Sequence, residues 1–394
     1  MIGSPPSVER VLAQASELLQ QGKLDQAAAA CMSVLSAAPN HPAAIHMLGL
    51  ARGRLGAAAD AEQLLRRSLA LQPANHQFRV NFGNFLRRLG RLQEAETEYR
   101  TVLAQFPDAP KARHQLALTL EDLGRSAEAE AEVRHLVQQL PHDAEARSLL
   151  GYILTNQQRL LEAESAYRQS LALTPNYGLA HHNLGALLVQ MERAEEALAA
   201  LDRAEAFGVP RFELRFSRGR ALTLLYRVDE AEQEFAAAIE ERPRHVEAQL
   251  NLARLRFMRA DPFFTRGIEQ ALRAAPDDLA LQSLLTNILM RAGRHDQAEA
   301  KLRDLLKTHG PLPQFRSRLA QLLLEVGRLK EAEAEALEAA TLQPRDGTTV
   351  DTLISVLLCR GRAAEAMPFI QSKRAQEPLN QNWIAHEAIA GRLL

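Results

Sequence analysis

The chain has 394 residues, of which 46% are hydrophobic and 24% are charged, so it has enough apolar surface to fold and is not a disordered polyampholyte. Its 47 basic and 48 acidic residues leave a formal net charge of -1, which argues against a general nucleic-acid or anionic-membrane binder. The two cysteines, Cys31 and Cys359, are too few for a disulfide framework.

Residues 1–7 are predicted to form an N-terminal tail. They lack the cationic start and the apolar stretch of a secretory signal, so we expect a cytoplasmic protein. No stretch approaches the roughly 20 apolar residues that span a bilayer, because Arg, Glu and Gln interrupt the aliphatic segments. We therefore expect neither a membrane nor a nucleic acid as partner.

From residue 8 onward, the sequence repeats with a period of 34 residues. Prolines close most units, and they are Pro39, Pro73, Pro107, Pro141, Pro175, Pro243, Pro276, Pro344 and Pro378. Glycines recur in step at Gly22, Gly56, Gly90, Gly124, Gly293, Gly327 and Gly361. A repeat of this kind predicts an array of similar supersecondary units.

Each unit is predicted to be a helix, a turn and a second helix. In the unit at 76–107, apolar residues recur at helical spacing on both sides of Gly90, which supplies a left-handed stop. Proline then ends the second helix, because its ring and its missing N–H prevent continuation. Small residues such as Gly83 and Ala95 are expected where the two helices cross closely.

This unit resembles the tetratricopeptide repeat in its length, its Leu48-Gly49 pair, its aromatic position at Tyr99 and Tyr167, and its closing proline. The resemblance covers residues 8–378. It implies an all-α, right-handed superhelical solenoid of about eleven helix-turn-helix repeats, whose first helices line the concave face. Each unit of such an array contacts only its neighbours, which leaves a long inner surface.

The unit at 246–276 is irregular. It is one residue short, and Pro262 stands where the second helix would begin. Either Phe263 and Phe264 refill the space between the helices, or the segment is a flexible joint or a partner site.

The turn glycine is absent from four consecutive units, from which we expect a different turn in the middle of the array. The residues in its place are Gln158, Glu192, Tyr226 and Ala260.

Residues 379–394 are predicted to form a partial terminal helix, which either caps the array or leads into a further C-terminal domain; we favour the junction. The run at 377–385 is similar to the junction in bacterial proteins where such repeats precede an iron- and 2-oxoglutarate-dependent oxygenase domain. Repeat arrays that precede sulfotransferase or glycosyltransferase domains are alternative interpretations of this junction.

The chain itself carries no recognisable catalytic pattern. It has no His-x-Asp iron motif, no phosphate-binding GxxxxGK[ST], no GxSxG and no HExxH. His181 and His182 are neighbours on a helix and point about 100° apart, which argues against a shared metal. We therefore expect no enzymatic activity, no metal and no cofactor here. Acids such as Glu128 are expected on the outside of the second helices, paired with Arg or Lys three or four residues away.

The inner groove is then the candidate functional surface. In the repeat family, positions five and nine of the first helix face the groove, together with positions two, six, twelve and thirteen. Positions five and nine hold a mixed ladder of polar, aromatic and basic residues. The predicted groove residues are His46, Asn84, His114, Tyr152, His182, Phe216, Arg220, Arg254, Asn287, Ser317 and Gln321.

Amides and histidines can hydrogen-bond an extended peptide backbone, and Arg220 with Arg254 can take acidic groups. Asn81, Asn183 and Asn251 resemble the groove asparagines of sugar-transferase-linked arrays, although they are intermittent. Glu145 stands where the family's chaperone-binding clamp needs a basic residue, so no chaperone partner is assigned.

The sequence therefore predicts a protein–protein interaction scaffold that binds a peptide or protein segment along the concave groove. Acidic segments are among the ligands that such a groove can take. Two alternatives stay open. The chain is the substrate-recruiting arm of a modifying enzyme whose oxygenase or transferase domain follows residue 394, or it is a self-associating array.

Overall fold

The computed structural model describes residues 7–344, 346–376 and 380–394, without the side chain of Gln376. The chain divides into two compact units, one up to Pro210 and one from Arg211 to Leu394. Most of the predicted tail and the residues at 377–379, which include the last closing proline and the start of the predicted junction, lie outside the described residues.

All regular structure within the described residues is α-helical. The helices of the first unit are α1 (Val8–Gln20), α2 (Leu24–Ala37), α3 (Pro42–Arg54), α4 (Ala58–Leu71), α5 (His76–Arg88), α6 (Leu92–Gln105), α7 (Pro110–Asp122), α8 (Ser126–Gln139), α9 (Ala144–Asn156), α10 (Leu160–Leu173), α11 (Gly178–Gln190) and α12 (Ala194–Ala206). The helices of the second unit are α13 (Arg211–Leu224), α14 (Val228–Glu241), α15 (Val246–Met258), α16 (Arg266–Ala274), α17 (Leu279–Arg291), α18 (His295–His309), α19 (Pro313–Glu325), α20 (Leu329–Leu342), α21 (Gly347–Cys359), α22 (Ala363–Gln376) and α23 (Gln381–Leu393).

Each odd-numbered helix from α1 to α21 forms a hairpin with the helix that follows it. In the α5–α6 hairpin, the turn passes through Gly90 with φ 75°, and Arg91 N donates to Leu86 O at 3.0 Å. This bond from beyond the helix end is the Schellman closure that a left-handed residue permits. The second helix ends at Gln105, two residues before Pro107. The predicted all-α class and the helix-turn-helix repeats are confirmed.

The turns of the middle hairpins have the same geometry although they lack glycine. The φ values are 62° at Gln158, 59° at Glu192, 57° at Tyr226 and 55° at Ala260. Arg159 N donates to Leu154 O at 2.9 Å, as its counterpart does in the α5–α6 hairpin. The expectation of a different turn was therefore wrong. The closing hydrogen bonds hold the backbone of these four residues in the left-handed region, which normally favours glycine.

Odd-numbered helices also pack against one another across neighbouring hairpins. Within the first unit α3 contacts α5, and α5 contacts α7; within the second unit α15 contacts α17, and α19 contacts α21. The odd-numbered helices therefore form the inner layer of each stack, and their exposed side chains face a common surface.

A ladder of arginines ties the even-numbered helices together. Arg159 lies just before α10 and donates to Glu162 of its own helix and to Glu130 of α8, each at 2.7 Å. We call the arginines with this double contact the arginine ladder. Its members are Arg91, Arg125, Arg159, Arg193, Arg328 and Arg362. The pairing within one helix was predicted, whereas the link to the preceding hairpin was not.

The irregular hairpin of the second unit has a short second helix. Helix α16 has 9 residues, because Pro262 and a turn occupy the place of its first helical turn. Phe264 is buried, with its ring 5.4 Å from that of Phe257, and it fills the space that the lost helical turn leaves. Phe263 is 67% exposed and does not contribute to that filling.

The terminal helix α23 packs against α21 and α22. Trp383 and Ala390 are buried, whereas Ile384 and Ile389 are about half exposed at 43% and 46%. Helix α23 therefore attaches by one face and leaves apolar side chains on another.

Candidate binding grooves

The first unit contains two hollows on its inner layer that share residues. One, of about 500 Å³, lies between α5, α7 and the start of α9, and Asn81, Asn84, His114 and Glu145 are part of its lining. The other, of about 260 Å³, continues from α7 across α9 to α11. His114 and Glu145 line both hollows, so the two form one continuous surface, which we call the polar groove.

The far half of the polar groove is amphipathic. It is lined by Tyr152 of α9, by Asn183 of α11, and by Tyr177 and Leu179 at the start of α11. Burial, with the nearby carboxylate of Glu145, raises the pKa of Tyr177 to about 12. Its hydroxyl is therefore neutral and can donate a hydrogen bond to a ligand.

The centre of the polar groove holds an uncharged imidazole. His114 Nε2 lies 3.6 Å from Glu145 Oε1. Burial lowers the pKa of His114, and the Glu145 carboxylate only partly offsets that effect. A neutral imidazole offers both a donor and an acceptor.

The amides of the near half are held in fixed positions. Tyr99 of α6 donates its hydroxyl to Asn84 Oδ1 at 2.7 Å. Gln77 Nε2 donates to Asn81 Oδ1 at 3.1 Å, and Asn81 Nδ2 lies 2.9 Å from His46 Nε2. These side chains have lost rotamer freedom before any ligand arrives, which favours binding.

His46 is buried beneath this part of the groove and does not line it. Ser68 donates its hydroxyl to Leu65 O at 2.7 Å, so the Ser68 oxygen accepts from His46 Nδ1, 3.2 Å away. The ring stacks on Phe78 with centroids 4.0 Å apart. Burial lowers the pKa of His46 to about 4, which agrees with a neutral ring that accepts from Asn81.

The structure brings together three of the predicted groove residues, Asn84, His114 and Tyr152, in the polar groove. His182, on α11, is half-buried, with Nδ1 3.4 Å from Asn183 Oδ1. It is Asn183, rather than His182, that lines the hollow.

In the second unit, Phe216 of α13 belongs to an aromatic cluster. Its ring centroid lies 6.0 Å from that of Phe235 and 5.1 Å from that of His245. Arg220, one helical turn further along α13, is half-buried.

Arg254 of α15 and Asn287 of α17 line one hollow of about 370 Å³. Gln321 of α19 donates to Thr352 Oγ1 at 2.9 Å, and Ser317 is buried against the same hydroxyl. The predicted residues of the second unit therefore fall in three separate places, and only Arg254 and Asn287 share a cavity.

Several lining residues lie outside the ladder of positions five and nine from which the groove residues were chosen. Gln77 and Asn81 stand at positions two and six of α5, Lys111 and Gln115 at the same positions of α7, and Asn183 at position six of α11. Positions two and six line the polar groove as fully as positions five and nine.

A further hollow of about 700 Å³ lies among α10, α11 and α12, and Leu184, Leu188 and Phe207 are part of its mainly apolar lining. It contains none of the predicted residues. Within the described part of the chain, no three His, Cys, Asp or Glu side chains come together as a metal site would require. No helix of that part is long and apolar enough to cross a membrane.

Helical hairpins that stack on one another, with the odd-numbered helices forming one layer, define a helical repeat protein. Models of the tetratricopeptide repeat match residues 12–76, 46–110, 182–243 and 284–347, and related models of the same repeat match 86–152 and 144–177. The chain belongs to the tetratricopeptide repeat family, whose members act as protein-interaction scaffolds. No protein with a curated description matches the sequence.

Solved structures share the fold. A tetratricopeptide repeat protein from Parabacteroides merdae is 18% identical with a TM-score of 0.53, over 63% of this chain and 98% of that one. Yeast Tom70 is 14% identical with a TM-score of 0.52, over 98% of this chain and 95% of that one. At these identities the likeness concerns the fold alone.

Proposed function

We propose that the protein is an interaction scaffold whose polar groove holds an extended segment of a partner protein. The continuity of the two hollows through His114 and Glu145 is the observation that supports this most directly. A continuous surface across α5, α7, α9 and α11 suits an extended chain better than it suits a compact small molecule, which needs an enclosed cavity.

The chemistry of the groove suits a peptide backbone. Asn81, Asn84 and Asn183 each offer an amide that donates and accepts, and His114 and Tyr177 add uncharged donors. Such groups match the alternating N–H and C=O of a strand-like segment. Tyr152, which is 38% exposed, adds an apolar surface for one side chain of the ligand.

The size of the groove sets the length of the segment. Neighbouring packed helices lie about 10 Å apart, so α5 to α11 span roughly 30 Å. An extended chain rises about 3.3 Å per residue, which gives a bound segment of roughly nine residues.

Selection from a displayed library of random twelve-residue peptides tests this proposal. Peptides selected on the full chain are expected to bind Asn81→Ala and Asn183→Ala variants at least about tenfold more weakly, since each variant loses a backbone hydrogen bond in a desolvated groove. The matched control is Gln93→Ala, which removes an exposed amide from α6. If all three variants bind the selected peptides like the wild type, the polar groove is not their site.

A further inference from the structure

The hollow between α15 and α17 differs in character from the polar groove. Leu250, Phe257, Leu284 and Ile288 contribute apolar surface to it, and Arg254 and Arg291 also line it and are exposed. No carboxylate is found among its described lining residues. The hollow thus combines an apolar floor with two positive charges.

The two arginines are available for a ligand. Among the described contacts, neither Arg254 nor Arg291 has a hydrogen bond or an ion pair. Nearby arginines behave differently: Arg256 donates to Glu232 at 2.8 Å, and Arg259 pairs with Asp229. A guanidinium that is left unpaired beside apolar surface is suited to the carboxylates of a partner.

The apolar floor is also incompletely covered. Phe257 is 47% exposed, although its ring contacts that of the buried Phe264. An open hollow of about 370 Å³ has room for one bulky apolar side chain of a larger molecule. A small molecule usually requires deeper enclosure than this.

We propose that the α15–α17 hollow is a second binding site, which anchors an internal protein segment carrying a bulky apolar side chain flanked by carboxylates. The apolar side chain enters between Phe257 and Ile288, and the flanking carboxylates pair with Arg254 and Arg291. The site lies in the second unit and is independent of the polar groove, so the failure of either proposal leaves the other standing.

Isothermal titration calorimetry with defined peptides tests the site on the full chain. The probe is a nine-residue peptide with a central leucine between two pairs of glutamates and Gly-Ser ends. Acetylated and amidated ends leave the glutamate side chains as its only carboxylates. Replacement of the leucine by serine, or of the glutamates by glutamines, is expected to weaken binding at least about tenfold, because each removes one of the two components.

Charge reversal in the protein gives the sharper test. The double variant Arg254→Glu with Arg291→Glu is expected to bind the probe at least about tenfold more weakly than the wild type. It should also bind a peptide in which lysines replace the glutamates. The matched control, Arg266→Glu with Arg273→Glu, changes the net charge equally on exposed residues of α16. Circular dichroism confirms that both variants remain folded, and Asn81→Ala is expected to bind the probe like the wild type.

Three results overturn the proposal. The first is a wild-type chain that does not bind the probe. This holds even if the chain binds decanoate, a small molecule with an apolar tail and one carboxylate, because the occupant would then not be a protein segment. The second is equal affinity for the leucine and serine peptides. The third is an equal loss of affinity in the control variant, since this would assign the effect to net charge rather than to the hollow.

Discussion

Tyr99 lies so close to the α-carbon of Gly83 that a Cβ on residue 83 would come within 2.6 Å of Tyr99 Cε1. Gly83 belongs to α5 and Tyr99 to α6, so the ring sets the separation of the two helices. The contact recurs between Gly151 and Tyr167, where a Cβ would come within 2.7 Å. The expectation that small residues stand where the helices cross is confirmed at these positions.

Replacement of Gly83 by alanine is expected to destabilise the first unit by about 1–3 kcal/mol, because the added methyl group overpacks the crossing. In the next hairpin, the positions equivalent to Gly83 and Tyr99 hold Ala117 and Val133, which are both fully buried. A larger residue on the first helix is thus paired with a smaller one on the second. Tyr99→Val alone is also expected to destabilise, because it removes a buried ring and its hydrogen bond to Asn84. The double variant Gly83→Ala with Tyr99→Val should therefore lose less stability than the sum of the two single variants. Urea unfolding measures both effects. An additive double variant would show that the two side chains do not share this space.

Stability is expected to depend on pH through His46, whose folded-state pKa is lowered by burial to about 4. In the unfolded state the His46 imidazole takes up a proton near pH 6.5, whereas in the folded state it does so only near pH 4. The contribution of neutral His46 is thus present above about pH 6.5 and is lost as the pH falls towards 4, by roughly 2–3 kcal/mol. Melting curves of the wild type and of His46→Gln, compared between these pH values, isolate the effect. Equal pH dependence in both chains would contradict it.

Local signals in the sequence predicted the hairpins, since proline and glycine act on the backbone within a few residues of themselves. Side-chain environments depend on other hairpins and were less accessible. His46 and His114 occupy the same helix position, yet Phe78 and Ser68 bury the first while the second faces the groove. Nothing close to either histidine in sequence distinguishes the two.

The turns without glycine are expected to carry backbone strain. Glu192 has φ 59°, where a Cβ is unfavourable by about 1–2 kcal/mol. Glu192→Gly is therefore expected to be more stable than Glu192→Ala by about 1 kcal/mol, because alanine keeps the Cβ whereas glycine relieves the strain at some entropic cost. Gly124, at the equivalent turn with φ 73°, provides the reverse control, since Gly124→Ala should destabilise. Thermal unfolding of the variants measures the order, and a less stable Glu192→Gly would contradict it.

The arginine ladder should stabilise the contact between hairpins mainly through its more buried partner. Glu130 has 15% of its side chain exposed and Glu162 has 55%, and Arg159 contacts both. Because screening weakens exposed pairs most, Glu130→Gln is expected to lower the melting temperature by more than Glu162→Gln, and the deficit of Glu162→Gln should vanish near 1 M salt. Arg159 lowers the pKa of Glu162 through its hydrogen bond, so this pair is lost as the pH falls below the ordinary range of glutamate. Equal melting temperatures for the two variants at low salt would show that the link to the preceding hairpin adds nothing.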